Sequence, residues 1–425
     1  MLNERQKLAD ELFLSGQNIY VGGPGGVGKS HLISYWRDRN PDRTIFIAPT
    51  GISALNIGCS TAHSTFKLQP RLLTKNDHNR PSEKVHELFG KGSPVTTIVM
   101  DEISMYRSDL FKTIDMNLRK VKERNVPFGG LQVVVVGDFY QLCPVLTKTE
   151  KEAYNSIYDS LYCFGTESWS AANFNYIELT EAMRHSEEEY IFNLQNIRMK
   201  RPGYLESIKY FNKAGMANQE RVYENDAIFL CATNASADVI NVHNYELLDG
   251  DEIVHKAIKS GIFEGVPAPD ELKLKPGVKL ICTANDGVLR NGMIVYFTRM
   301  VGSKMEIVIE ETGMTLLAGM FKWENMEYKL DDNKKLTHTP TGSYRQYPFK
   351  HGYGITVHKS QGCTLSQAMI DRYNGFFSHG QAYVGLSRIK KLEGFGLMQP
   401  LQNSDIIVDR DVQQFYANNC KGIGF

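Results

Sequence analysis

The stretch Gly23-Pro24-Gly25-Gly26-Val27-Gly28-Lys29-Ser30 constrains this chain more than any other. It fits the phosphate-loop pattern G-x-x-x-x-G-K-[ST]. The residues before it, Asn18-Ile19-Tyr20-Val21, read as a short apolar strand. Those after it, His31-Leu32-Ile33-Ser34-Tyr35-Trp36, read as an amphipathic helix. Strand, glycine loop and helix are the context that the motif requires. Glycines let the backbone curl around a polyphosphate with its N–H groups pointing inward, and the helix N-terminus adds partial positive charge. Gly23, Gly25, Gly26 and Gly28 are therefore the expected cradle. Lys29 is expected to reach the β- and γ-phosphates and Ser30 to hold Mg²⁺. An ordinary glycine-rich turn is the competing reading; a chance match in a chain of this length has odds of roughly one or two in a hundred.

A phosphate loop needs a sheet behind it. Thr44–Ala48, Val95–Met100 and Leu131–Val136 are continuous apolar or β-branched runs, the mark of strands covered on both faces, and helical stretches alternate with them. The first part of the chain thus reads as a doubly wound α/β domain. Between Phe66 and Pro94 the pattern breaks into a polar excursion followed by a short helix at Glu83–Phe89, read as a small insertion. A second series of strands is expected to start at Tyr176–Leu179 and to continue at Ala227–Cys231, Ala368–Ile370 and Gly394–Met398, giving a second α/β domain without a phosphate loop. Ile294–Phe297, Met305–Glu310 and Met314–Ala318 lie between glycine turns and read as a small antiparallel, barrel-like insert.

At 425 residues, two or three domains are expected. With 48 basic and 48 acidic residues the formal net charge is zero, so any nucleic-acid contact must come from local basic surface. The 7 cysteines are odd in number and scattered, which argues against a disulfide framework or a zinc site and for a reducing compartment. The polar start Met1–Gln6 does not read as a signal peptide, and no apolar run approaches bilayer length.

Asp101 and Glu102 follow the strand Val95–Met100. A carboxylate at a strand end beside a phosphate loop is placed to hold Mg²⁺, and the next one to activate the attacking water. Exposed turn acids are the ordinary alternative. Gln141, in Gly137-Asp138-Phe139-Tyr140-Gln141-Leu142, closes the next buried strand and is placed to sense a γ-phosphate. Arg184 and Arg388 lie in the second domain. Cations on the equatorial oxygens accelerate phosphoryl transfer, so arginines from that domain can complete the site across a cleft. For either arginine alone a surface salt bridge is the commoner role. Thr356–Gly362, with His358 and Lys359, forms with Thr50 and Thr61–Phe66 a candidate track for phosphates and stacked bases; solvated loops are the alternative.

Taken together these motifs resemble the PIF (petite integration frequency) DNA helicases of the RecD-like branch of helicase superfamily 1B, along nearly the whole chain from Gln6 to Gly396. The most specific piece is DEISM at 101–105, then Pro127-Phe128-Gly129-Gly130-Leu131-Gln132, then GDFYQLCPV at 137–145. APTG at 48–51, HS at 63–64, LTE-x-x-R at 179–184, TN at 233–234, NG at 291–292, HKSQG at 358–362 and GLSR at 385–388 match further motifs. Departures are Pro24 and Val27 in the loop, Cys143 and Gly385; none removes a reacting group.

The resemblance implies two RecA-like doubly wound parallel-sheet domains, 1A over 1–175 and 2A over 176–295 and 347–425. It adds an inserted 1B wedge at 67–94 and an SH3-like β-barrel 2B at 296–346. It implies ATP and Mg²⁺ as cofactors, with Gln6 reading adenine and Gly362 beside the nucleotide. It implies DNA contacts at Thr50, His63, Ser64, Phe66, Asn234, His358 and Lys359. The expected activity is ATP-driven 5′ to 3′ movement on single-stranded DNA with unwinding of forked or structured DNA, by a monomer. The expected location is the bacterial or viral cytoplasm or the nucleus, without membrane attachment. A DNA-stimulated translocase that remodels protein–DNA complexes and a nucleotide switch without nucleic acid remain open at this point.

Overall fold

The apolar runs that follow the phosphate loop do become central strands of one parallel sheet. In the computed structural model, which describes residues 2–146, 149–181, 187–263 and 265–420, this sheet has six strands. Their order is Ser60–Thr61, Thr44–Ala48, Thr97–Met100, Gln132–Val136, Ile19–Gly22, Asn175–Glu178, all parallel. Alternate side chains feed two different cores, as a strand's period of two requires. Val133 and Val135 pack with Tyr20, Ile98 and Phe111; Val134 and Val136 pack with Val21, Leu32 and Trp36.

A second parallel sheet holds Gly354–Thr356, Ile228–Cys231, Ala368–Asp371 and Phe395–Leu397 in that order. The helices Glu188–Met199 and Tyr204–Ala217 cover it, with Leu194, Ile197 and Phe211 buried against Ile228, Leu230 and Ile370. Between these strands the chain runs antiparallel. Thr315–Ala318, Lys304–Ile309, Ile294–Val301, Lys279–Cys282 and Phe349–His351 form a five-stranded sheet. Phe321–Leu330 and Leu336–Gln346 form a long hairpin that pairs with Ile258–Gly261.

Three expectations need correction. The strand at 176–179 does not open the second sheet: Asn175–Glu178 pairs in parallel with Ile19–Gly22 and forms the edge of the first. Its side chains Ile177 and Leu179 pack in the core beneath the phosphate-loop helix, and a strand's own pattern does not say which sheet it joins. The antiparallel region extends beyond 296–346: its strands run from Ile253 to His351, because Lys279–Cys282 and Phe349–His351 supply the pairing that the inner strands need. Finally, the helix Arg410–Asn419, expected with the second domain, returns to the first. Phe415 packs against Phe139, Phe164 and Trp169, and Tyr416 hydrogen-bonds Tyr20, hydroxyl to hydroxyl, at 2.8 Å.

The 67–94 insertion carries the expected helix Glu83–Phe89, and its apolar side chains Leu73, Val85, Leu88 and Phe89 enter the first sheet's core. The long hairpin also docks there. The Tyr328 hydroxyl accepts from the Phe46 N–H at 2.9 Å and donates to its carbonyl at 3.1 Å. Among the described residues no helix is long and apolar enough to cross a membrane.

Candidate functional site

The loop leaves the strand Ile19–Gly22 through Gly23 (φ +142°), where a Cβ would come within 2.5 Å of the Leu179 carbonyl. Gly28 (φ +86°) caps the helix Lys29–Arg39 in the left-handed conformation that glycine alone adopts cheaply. Lys29 folds back over the loop and donates to the carbonyls of Gly23 at 2.6 Å and Pro24 at 2.9 Å. Burial pulls its ammonium pKa down, against the pull of Asp138 and Glu102. A polyphosphate entering the loop would replace both carbonyls as the lysine's partner. The Gly25 N–H donates to the Tyr383 hydroxyl, which comes from the second parallel-sheet unit, at 2.9 Å.

Asp101 follows the strand Thr97–Met100 and is buried. Desolvation, reinforced by Glu102, pushes its carboxyl up to about 7. Glu102 takes φ +49°, unusual for a residue with a side chain, and burial raises its pKa while Lys29 and Arg388 pull it back. Gln361, from the 358–362 segment of the second unit, donates its amide to Glu102 Oε2 and to Gln141 Oε1, each at 3.3 Å. The Asp101 carboxyl and the Ser30 hydroxyl are hard oxygen donors, the type of ligand that Mg²⁺ takes alongside phosphate oxygens.

A cavity of about 420 Å³ lies between the two units; Asp101 and Gln361 are not among its lining residues. The first unit contributes Gly25, Lys29, Ser30, Glu102 and Gln141; the second contributes Gly362, Thr364, Arg388 and Lys390. Arg388 is buried, and its guanidinium donates to the Val384 carbonyl at 3.0 Å and to Ser387 Oγ at 2.6 Å. Arg184 lies outside the described residues. Thr364 and Lys390 were not anticipated; Lys390 lies two residues past the GLSR motif, and its spacing was the one available hint. Gln6 is buried, with its amide oxygen accepting from the Asn3 N–H at 3.0 Å and its nitrogen 3.4 Å from the Gly28 carbonyl. In this arrangement it braces the helix start and the loop, and it is not among the residues lining the cavity.

The candidate nucleic-acid residues share a local design. Thr50 and Thr233 each end a parallel strand's exit turn and cap the next helix, accepting from the N–H of Ser53 and Ser236 at 3.2 Å. Thr356 likewise accepts from the Lys359 N–H at 3.2 Å. Asn234 and Lys359 are exposed; His63, Ser64 and His358 are half-buried. A cavity of about 510 Å³ opens between Leu55 and Asn56 of the first unit, Phe321 and Trp323 of the hairpin, and Lys350, Lys359 and Gln361. Lys350 was missed because it lies in a strand rather than a motif. Phe66 departs from expectation: it is 1% exposed, and its ring stacks on Phe89 at 5.5 Å, so the core holds the face that a base would need.

Several known proteins are similar to this chain. A family profile described as "PIF1-like helicase" matches residues 1–198. The ATP-dependent DNA helicase Pif1 of Campylobacter jejuni is 28% identical over 89% of this chain and 88% of its own length. The ATP-dependent DNA helicase PIF1 of Xenopus laevis is 28% identical over 93% of this chain, which spans 61% of that protein. The chain spans 61–64% of the length of the vertebrate relatives compared first. Bacteroides Pif1 in complex with ADP-AlF4 superposes with a TM-score of 0.88 at 30% identity, covering 99% of this chain and 98% of that one. This chain belongs to the PIF1-like helicase family. The same Bacteroides protein bound to single-stranded DNA superposes less closely, with a TM-score of 0.69 over 98% of this chain and 97% of that one.

The 127–132 stretch, part of the 101–145 region that most resembles the PIF1-like pattern, forms a structural clasp. Phe128 and Gly129 both take positive φ, +51° and +64°, and the Phe128 N–H donates to Asp115 Oδ1 at 2.6 Å. Asp115 also accepts from Arg119 at 2.8 Å, so the turn locks the helix Ser108–Val121 against the sheet. Gln132 ties the strand to the N-terminal helix by donating to the carbonyls of Phe13 at 2.9 Å and Gln17 at 2.8 Å.

Proposed function

We propose that this chain is an ATP-dependent DNA helicase that moves 5′ to 3′ on single-stranded DNA and unwinds forked or structured duplexes as a monomer. One observation carries the reading: the phosphate loop, Glu102 and Gln141 of one parallel-sheet unit share a cavity with Arg388, Lys390 and Gly362 of another. Such a site is half-built on each side and is completed by closure. In this reading Lys29 and Arg388 neutralise the charge that develops on the transferred phosphoryl group, and Arg184 joins them. Glu102 accepts a proton from the attacking water, and Gln141 and Gln361 relay the state of the γ-phosphate toward the 358–362 segment. Ser30 and Asp101 would hold Mg²⁺, which shields phosphate charge when bound. Gln6 would reach adenine only by leaving its present partners.

Thr50, His63, Ser64, Asn234, His358 and Lys359 make up the proposed DNA track, joined by Lys350. The five-stranded antiparallel sheet is the candidate SH3-like 2B element, and 67–94 the candidate 1B wedge. The closer fit to Bacteroides Pif1 with ADP-AlF4 than to its single-stranded-DNA complex supports a rearrangement on DNA binding. The direction of movement rests on the family resemblance.

Strand displacement on 5′- and 3′-tailed duplexes, run beside DNA-stimulated ATP hydrolysis, tests the reading. Displacement from the 5′-tailed substrate alone is expected. Stimulated hydrolysis without displacement would support a translocase that remodels protein–DNA complexes. Unstimulated hydrolysis without DNA affinity would leave a nucleotide switch.

A further inference from the structure

Arg198 belongs to no motif of the nucleotide site, yet it is one of the largest fully buried side chains in the molecule. It sits near the end of the helix Glu188–Met199, which is anchored in the second unit by Leu194 and Ile197 and by the Tyr190 hydroxyl donating to the Leu386 carbonyl at 2.6 Å. From there its guanidinium crosses into the first unit. It grips Asp138 with two hydrogen bonds, Nη2 to Oδ1 at 2.7 Å and Nε to Oδ2 at 3.1 Å, and Nη2 also reaches Glu178 Oε1 at 3.1 Å. The rings of Tyr140 and Tyr416 lie 4.9 and 5.7 Å from the guanidinium carbon. Gln195 Oε1 accepts from Nη1 at 3.2 Å.

The location matters more than the pairing. Asp138 follows the strand Gln132–Val136, and Glu178 ends the strand Asn175–Glu178. In the sheet these two strands flank Ile19–Gly22, which launches the phosphate loop. One cation from the second unit therefore spans the carboxyl end of the loop's own strand. Glu178 presses directly on that strand: a Cβ on Gly22 would lie 2.0 Å from Glu178 Oε2. On the other side, Asp138 Oδ2 also accepts from the Gln141 amide at 3.4 Å, and Gln141 lines the nucleotide cavity. Arg198 helps hold the Asp138 carboxyl below its ordinary range, whereas burial pushes the Glu178 carboxyl up to about 7, and the Lys29 ammonium feels both groups.

We propose that Arg198 is a positioning residue for ATP hydrolysis: it holds Asp138, and through it Gln141, in register with the phosphate loop, and it forms the fixed pivot about which the two units close on nucleotide. The inference rests on the hydrolysis proposed above. A buried, bidentate Arg198–Asp138 pair is costly to open, so closure swings the distal wall, Arg388 and Lys390, about this point. Arg198 touches no nucleotide; its effect is carried by the placement of Gln141, where a shift of about 1 Å is enough to cost roughly 100-fold in rate.

The test uses Arg198→Lys, which keeps the charge but cannot bridge both carboxylates bidentately. Thermal melting, binding of a fluorescent ATP analogue, and kcat with KM for DNA-stimulated hydrolysis are measured together. The expected result is a folded protein with analogue affinity within about threefold of the parent and kcat lowered at least about tenfold. A folded Arg198→Lys protein with the parent's kcat overturns the inference and leaves the hydrolysis reading intact, and so does a loss confined to KM. If Arg198→Lys does not fold, Asp138→Asn, which has the same shape without the charge that Arg198 grips, is measured in the same way. A kcat loss at retained affinity then supports the role, and unchanged kinetics overturn it. A parent protein without ATP hydrolysis overturns both proposals.

Discussion

Gln361 and Glu102 meet across the cleft, the glutamine amide donating to the carboxylate at 3.3 Å, although the residues belong to different parallel-sheet units. The same nitrogen reaches Gln141, and Gln361 also borders the cavity that holds Lys350 and Lys359. This one side chain therefore touches both the proposed water-activating acid and the proposed DNA track. Gln361→Ala should lower DNA stimulation of hydrolysis by about tenfold while leaving basal turnover within about threefold, read by ATPase assays with and without single-stranded DNA. Equal loss in both conditions would mean that Gln361 serves the chemistry alone.

Lys29 is half-buried and donates to two carbonyls of the loop, with Asp138 and Glu102 acting on its charge. Lys29→Ala should reduce turnover by at least about 100-fold, since it removes charge from the transferring phosphate. Single-stranded DNA binding by fluorescence anisotropy should persist.

Arg388 is held inward by Val384 and Ser387, yet it borders the nucleotide cavity. Its contact with a phosphoryl group would form on closure, so its effect belongs to the transition state. Arg388→Ala should lower kcat by about 1,000-fold and change ATP affinity only a few-fold. A parallel loss of affinity would assign it to ground-state binding.

The hairpin 321–346 docks on the first unit partly through charge. Glu327 pairs with Lys84 and, at 2.9 Å, with Lys67. Burial alone would raise the Glu327 pKa, but the hydrogen bonds from both lysines outweigh it and bring the carboxyl to about 2, from an ordinary 4.5. A depressed acid stabilises the folded form above its unfolded pKa and loses that contribution as pH falls through its folded pKa. Docking should therefore weaken progressively from about pH 4.5 toward pH 2. Glu327→Gln should cost about 1–2 kcal/mol at pH 7, a modest figure because Lys67 is half exposed, and should flatten that acid dependence in thermal melts.

The clasp at 127–130 needs a glycine. At Gly129 a Cβ would lie 2.6 Å from the Leu118 carbonyl, with φ at +64°. Gly129→Ala should destabilise the first unit by about 1–3 kcal/mol in denaturant melts. At temperatures well below the transition its kcat should match the parent's, because the clasp lies behind the sheet rather than in the cleft.

Much of the first unit could be read along the chain for one reason. The run Gln132–Val136 is buried on both faces, so neither its pattern nor its neighbours needed to be known. Lys29, Ser30, Asp101 and Glu102 were legible because a loop and a strand end carry their chemistry locally. The strand at 175–178 was misplaced because its four residues do not encode a partner, and the helix 410–419 because an amphipathic face does not say which sheet it covers. Phe66 read as a base-stacking residue because aromatic rings serve cores and bases alike, and only the ring of Phe89 against it decides which.

By itself the sequence determined the phosphate loop, the acids beside it, the parallel-sheet class and the family pattern, since each is written in short-range spacing that backbone geometry converts directly into position. The tertiary structure alone decided which arginine lies where. Arg388 and Arg198 are both buried, but one borders the nucleotide cavity and the other spans Asp138 and Glu178, 60 and 20 residues away. Pairings at such separations depend on how two sheets dock. That is fixed by the packing of whole faces, and no single stretch of the chain encodes it.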